Sequence, residues 1–365
     1  MQERALELVD GRVPLSQLLR DQDGALPLAW ALKDLCYASW SSDPPRAVRA
    51  AQALQRLRDA SAAQSMPRLE EIAAITDWST AIGCLIQGDM EGALARLEAA
   101  ASGFAAISQP LHAAQTQVPK IMALSMLGRH DAAIACANAA QRLLLAHGDP
   151  LGASKVLHNL GSLHLRSDRY AAAVPCFREA AVLFAKHRDH ERSAAADIGL
   201  GDALAALGEG NEAVMMYARG RMQASAHGFP VLEAIADESL GLLHLARGQY
   251  RDALARLEAA RRGYESMQMP QHLAIAEKQL ADAYLELRLL PEALAGFDAA
   301  IARFDALGMP DDRAWALVQQ GRALSLSERA AAAQASLAAA AGLFAAQDNT
   351  VGEAAVALAR AGIAR

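Results

Sequence analysis

Residues 231–270 read VLEAIADESLGLLHLARGQYRDALARLEAARRGYESMQMP. Within Val231 to Ala246, the residues Ile235, Leu240, Leu243 and His244 form a stripe at helical spacing, and Gly241 lets a neighbouring helix approach closely. Gly248-Gln249 turns the chain. Tyr250 to Glu265 then carries a second stripe of Tyr250, Ala253, Leu254, Leu257, Ala260 and Tyr264. Pro270 closes the unit and opens the next, because proline is tolerated in the first turn of a helix and excluded from its interior. The spacing predicts two antiparallel helices in 40 residues.

Moving outward, the same pattern recurs along the chain. Proline stands at 110, 150, 230, 270 and 310, and alanine at 93, 133, 173, 213, 253, 293 and 333. Gly88, Gly128, Gly208 and Gly248 mark a further shared position, while Gly148, Gly228 and Gly308, each two residues before a proline, fit the left-handed residue that ends a helix. Self-similarity at this period predicts an all-α solenoid of stacked helix pairs, none of which can bury its apolar face alone. The 365 residues, 53% apolar and rich in alanine with only 5% aromatic, then form a growing stack rather than several globular domains.

Composition removes several functions. A net charge of −6 argues against general nucleic-acid binding, which needs a basic face to displace counterions. Cys36, Cys84, Cys136 and Cys176 form no C-x-x-C pair and read as reduced packing residues of a cytoplasmic protein. The start, MQERALELVD, carries acids where a secretory signal needs a basic start and an apolar core, and no apolar run approaches membrane-spanning length. No membrane partner is expected.

The columns Gly241, Gly248-x-Tyr250, Ala253-Leu254 and Ala260 resemble the tetratricopeptide repeat, over about residues 70 to 350. The resemblance implies a right-handed superhelical solenoid of helix-turn-helix units. It divides the chain into capping helices over 1–27, a divergent first repeat over 28–69, seven 40-residue repeats over 70–350 and an unpaired helix over 351–365. Departures from the pattern are Asp168, Arg288 and Glu328 at the turn glycine, Gly210 and Leu290 at the turn tyrosine, and Ile121 at the first-helix glycine. Pro119 beside Ile121 predicts a kink or a shifted helix start. In the first repeat, the segment near Leu28 to Trp40 sits earlier than the grid demands, which predicts a longer loop before the helix begun by Asp43-Pro44-Pro45. Breaks at Gly11 and Asp23-Gly24 divide the leader. A period longer than the usual ~34 makes the chain similar to arrays of bacterial regulators and to those that precede CHAT protease-like domains.

Catalytic patterns are weak. His158, His164, His187 and His190 lack H-E-x-x-H spacing, so no metal site is expected; His164 and His244 read as buried, hydrogen-bonded residues, and His187 and His190 as loop residues. Gly199-Leu-Gly201-Asp202 and Gly208-Glu-Gly210 lack the preceding strand of a phosphate loop. No cofactor and no enzymatic activity are expected.

What the resemblance implies instead is a binding groove lined by the first helix of each pair. Its inward positions are Trp78 and Ile82 at an apolar end, then Lys155, His158, Asn159 and Ser162, then Asp202, Glu238, Lys278 and Asp282, and finally Trp315 and Arg322. A protein or peptide partner with a carboxylate near Lys155, His158 and Asn159 and a basic or polar group toward Asp202 and Glu238 fits this order. The open alternatives are a peptide- or small-ligand sensor of the pheromone-receptor kind and the regulatory array of a CHAT-type protease. Residues 351–365 read as an apolar first helix without its second, which predicts self-association or a further domain at that end.

Overall fold

The computed structural model describes residues 1–19, 24–40 and 43–363. Two compact units result, 1–188 and 189–365. The first holds α1 (Gln2–Val9), α2 (Leu15–Leu18), α3 (Ala25–Ser39), α4 (Pro44–Ala63), α5 (Leu69–Gln87), α6 (Met90–Ala106), α7 (Pro110–Gln115), α8 (Gln117–Met126), α9 (His130–Ala146), α10 (Pro150–Arg166) and α11 (Tyr170–Lys186). The second holds α12 (His190–Ala206), α13 (Gly210–His227), α14 (Pro230–Ala246), α15 (Tyr250–Ser266), α16 (Pro270–Glu286), α17 (Leu290–Ala306), α18 (Pro310–Leu326), α19 (Ala330–Ala345) and α20 (Thr350–Ile363). The fold is all-α, with consecutive helices packed as pairs and no strand among the described residues. No described helix is long and apolar enough to cross a membrane. The break anticipated at Asp23 and the last two residues, 364–365, lie outside the described residues.

The repeat is stricter in the backbone than in the side chains. Positive φ occurs at Gly88, Ser108, Gly128, Gly148, Asp168, Arg188, Gly208, Gly228, Gly248, Gln268, Arg288, Gly308, Glu328 and Asp348, that is, every 20 residues. Each marks the left-handed residue after a helix. At Gly248 the amide bonds to Leu245 O at 3.0 Å and that of Gln249 to His244 O at 2.9 Å, satisfying carbonyls the helix end would leave open. Arg288 repeats the pattern without glycine, its amide reaching Leu285 O at 3.0 Å and that of Leu289 reaching Tyr284 O at 2.9 Å. A side chain in this region carries a steric cost that glycine avoids. Gln268→Gly and Glu328→Gly, both at exposed positions, are each expected to raise the urea midpoint by the equivalent of about 0.5 kcal/mol, after the greater flexibility of the unfolded glycine chain is subtracted.

Packing explains the constant alanines. Ala93, Ala133, Ala173, Ala213, Ala253, Ala293 and Ala333 are all fully buried, where a methyl is the largest group the crossing helices admit. A large side chain fills the space one column over: Phe104, Leu144, Phe184, Tyr264, Phe304 and Phe344 are equally buried, each contributing about 1.5–3 kcal/mol of burial. Gly241 is needed because a β-carbon there would stand 2.7 Å from Leu257 Cγ. In the next pair the first helix carries Ala281 instead, and the second helix gives way: a β-carbon on Gly296 would come within 2.8 Å of Ala281 Cβ.

Two irregularities have local causes. The first helix of the third pair, the second regular one, is broken into α7 and α8 at Thr116, three residues before Pro119, whose ring would collide with the carbonyl four residues back and whose nitrogen donates nothing. In the first pair four residues separate Ser39 of α3 from Pro44 of α4, against two or three in the later pairs, and α4, with Asp43 accepting from the Arg46 amide at 3.1 Å, itself runs 20 residues.

Candidate binding surface on the first helices

Within residues 1–188 the apolar end of the expected wall is covered. Trp78 is 3% exposed and Ile82 fully buried, so neither faces a partner. Helix α3 lies over them. Trp78 Nε1 donates to Tyr37 Oη at 2.6 Å, the rings of Tyr37 and Phe104 stand edge-on to Trp78, and Lys33 Nζ sits 4.8 Å from the Trp78 ring centroid and 5.1 Å from that of Tyr37. A cation held against aromatic faces is stabilising, and here the cation belongs to the protein itself. Trp78 is not open to a partner because Tyr37 and Lys33 of α3 and Phe104 of α6 pack on its ring.

Lys155, His158, Asn159 and Ser162 share one face of α10, at helical spacing, and are half-buried. His158 leans on its own second helix, edge-on to Phe177 and Phe184 with centroids 5.5 and 6.3 Å away. Ser162 Oγ donates to His158 O at 3.1 Å. His164 is half-buried with its Nδ1 facing no hydrogen-bond partner among the described residues, whereas His244 Nδ1 lies 2.6 Å from Gln249 Oε1. His190 is not in a loop: it begins α12 and stacks on His227, with ring centroids 3.8 Å apart.

Within residues 189–365 the candidate residues are tied into the wall by hydrogen bonds that step from pair to pair. Tyr217 Oη donates to Asp202 Oδ1 at 2.8 Å. Glu238 accepts from Tyr264 Oη at 2.6 Å and, across to the next pair, from Gln279 Nε2 at 2.7 Å. Lys278 Nζ donates to Asp282 Oδ2 at 2.7 Å, Gln319 Nε2 crosses to Asp282 Oδ1 at 3.1 Å, and Arg322 Nη1 donates to Gln319 Oε1 at 2.8 Å. Lys278 and Asp282 are therefore partners of each other. Gln279 and Gln319, the cross-links, occupy one 40-residue column beside Lys278; that recurrence was the available signal, and the charged neighbours drew attention from it. Trp315, edge-on to Phe344 at 5.2 Å, joins Lys278, Val318, Gln319, Arg322 and Leu358 around a cleft of about 520 Å³.

Burial raises the Asp202 carboxyl above its ordinary range and the field of Glu238 adds to this, against the Tyr217 hydrogen bond. With the folded pKa raised, the native state holds more protons than the unfolded chain between the ordinary and the raised value, and this group stabilises more as pH falls through that window. Asp202→Asn, which keeps an acceptor for Tyr217, is expected to raise the melting temperature at neutral pH and to flatten its dependence on pH between the two values. A lower melting temperature at neutral pH would contradict this.

On the side facing the second helices lie acids that the reading of the wall overlooks. Asp197 is 1% exposed and is gripped by Arg219 and by Gln223 Nε2 at 3.1 Å. Asp237, 3% exposed, accepts from Arg221 of the preceding pair at 2.7 Å and Arg256 of its own at 3.0 Å. These ion pairs join helices; they are not exposed to a ligand.

No protein-family model matches the sequence, and no curated protein matches it. Solved structures do match. A STAND-class signal-transduction ATPase with a tetratricopeptide repeat sensor, from Pyrococcus horikoshii, is 14% identical over 99% of this chain and 55% of its own, with a TM-score of 0.71. Apo RapI is 13% identical over 93% and 98%, with a TM-score of 0.67, and the apo quorum sensor NprR from B. thuringiensis 12% identical over 92% and 98%, with a TM-score of 0.60. The chain spans about half the length of the STAND protein. Taken with the 20-residue turns, the buried alanine column and the paired helices, these likenesses make the fold a tetratricopeptide-like helical repeat array.

Proposed function

We propose that this chain is a binding scaffold for a protein or peptide and that the first helices provide the contact surface. The observation that carries the reading is the row from Glu238 through Gln279, Lys278, Asp282 and Gln319 to Arg322, whose side chains are held across successive pairs beside the cleft under Trp315. Polar groups fixed before a partner arrives lose little freedom on binding, which favours affinity and selects for charge. This surface offers carboxylates and a guanidinium within one row, suited to a segment of mixed charge. In residues 1–188, Lys155 with His158 and Asn159 suits a carboxylate, and Lys155→Glu is expected to weaken the captured partner by about 1–3 kcal/mol in calorimetry, as for a charge-assisted hydrogen bond.

The test is photo-crosslinking in extract of the native host, with a benzophenone side chain placed either at Arg322 or at Met215, an exposed residue of the second helix α13. A discrete adduct from 322 and none from 215 supports the reading. The reverse pattern would move the contact to the second helices and sink it. A sensor function is the second reading, favoured by two of the similar structures being those of sensors; its mark is a change of small-angle scattering when a small ligand is added.

A further inference from the structure

We infer that α20 pairs with α20 of a second copy of this chain, antiparallel and about a two-fold axis. In the earlier pairs of residues 189–365, four first-helix columns face the pair's own second helix. Ala234 meets Gly263, Asp237 meets Arg256, Glu238 meets Tyr264 and Gly241 meets Leu257. The same columns in α20 are Ala354, Ala357, Leu358 and Ala361. All four are exposed, Leu358 at 76%, whereas Ala234 and Asp237 are each 3% exposed. This face is shaped for a helix, and no described helix covers it.

Charge selects the occupant. Glu353 and Arg360 are both exposed and stand seven residues apart, on one flank of that face. If α20 meets its own image antiparallel, with the axis near Ala357 and Leu358, Ala354 lies opposite Ala361, and Glu353 of each copy lies opposite Arg360 of the other. Symmetry makes the pair twice. A parallel pairing would carry this flank of the two copies to opposite sides of the seam and make neither ion pair. The opposing alanines allow close approach, and the two copies of Leu358 meet at the axis. One helix against one helix is small beside a standard interface, so the association is weak and concentration-dependent.

Sedimentation velocity on the full chain, from micromolar to near-millimolar concentration, tests this. The expected result is a mass rising from 38.6 kDa toward twice that value. Leu358→Glu should hold the protein at the monomer mass with unchanged circular dichroism. Glu353→Arg alone should weaken association about fivefold or more, since two exposed ion pairs become repulsions, and Glu353→Arg with Arg360→Glu should restore it. A constant monomer mass for the wild type would overturn the proposal, as would association that survives Leu358→Glu. A double exchange no tighter than Glu353→Arg alone would overturn the antiparallel pairing.

Discussion

Ala253→Arg is expected to remove roughly 4 kcal/mol or more of stability and to broaden the denaturant transition. Ala253 is fully buried near the start of α15, as its equivalents are in α6, α9, α11, α13, α17 and α19. A long side chain forces the helices apart, which by itself costs about 1–3 kcal/mol in a packed core, and burying the guanidinium adds a desolvation cost. In a stack whose units are stabilised by their neighbours, a wedge in one pair also uncouples the pairs on either side, which lowers cooperativity. Urea titration followed by circular dichroism checks both effects. A midpoint and slope equal to wild type would mean that position 253 does not lie at a helix crossing.

Arg219→Ala is expected to cost about 3 kcal/mol, because it leaves the buried Asp197 with only the Gln223 amide. The opposite change, Asp197→Ala, should cost less, since Arg219 is 45% exposed and its charge can turn to water. Leucine occupies the equivalent position at Leu157 and Leu317, 4% and 8% exposed. The double substitution Asp197→Leu with Arg219→Leu should therefore recover most of the stability, as replacement of a buried ion pair by apolar groups often does. Chemical denaturation of the three variants gives the comparison. Recovery failing in the double variant would show that the pair also dictates which helices meet.

The fold was legible because its determinants are local and recur: a small residue at 241, a large one at 264 and a proline at 270 each have the same task 40 residues away. The equal division of that period was less visible. Ser108, Asp168, Arg188, Gln268, Arg288, Glu328 and Asp348 adopt the glycine conformation without being glycine, and the backbone bonds of the turn, which every residue can make, override their side-chain preference. The candidate wall was legible by register, not by environment. Helical spacing put Trp78 and Ile82 on the expected wall, yet whether that wall is open there depends on α3, whose divergent sequence does not announce its packing. Likewise Glu238 and Asp282 stand out as charges, whereas Gln279 and Gln319, which donate to them from the next pair, do not, since an amide acquires its meaning only when a neighbouring carboxylate is brought within reach.

The left-handed residue every 20 positions makes chain length a measure of geometry. Each helix with its link consumes the same number of residues, so an insertion or deletion of that number keeps every turn on a turn while exchanging the role of all later helices: those that formed the wall would become the outer row. A change of 40 residues would leave the rows intact and only lengthen or shorten them. Any other length leaves a turn facing a helix interior. Growth of such a chain is thereby quantised, and only duplications of a whole pair extend the wall without turning it over.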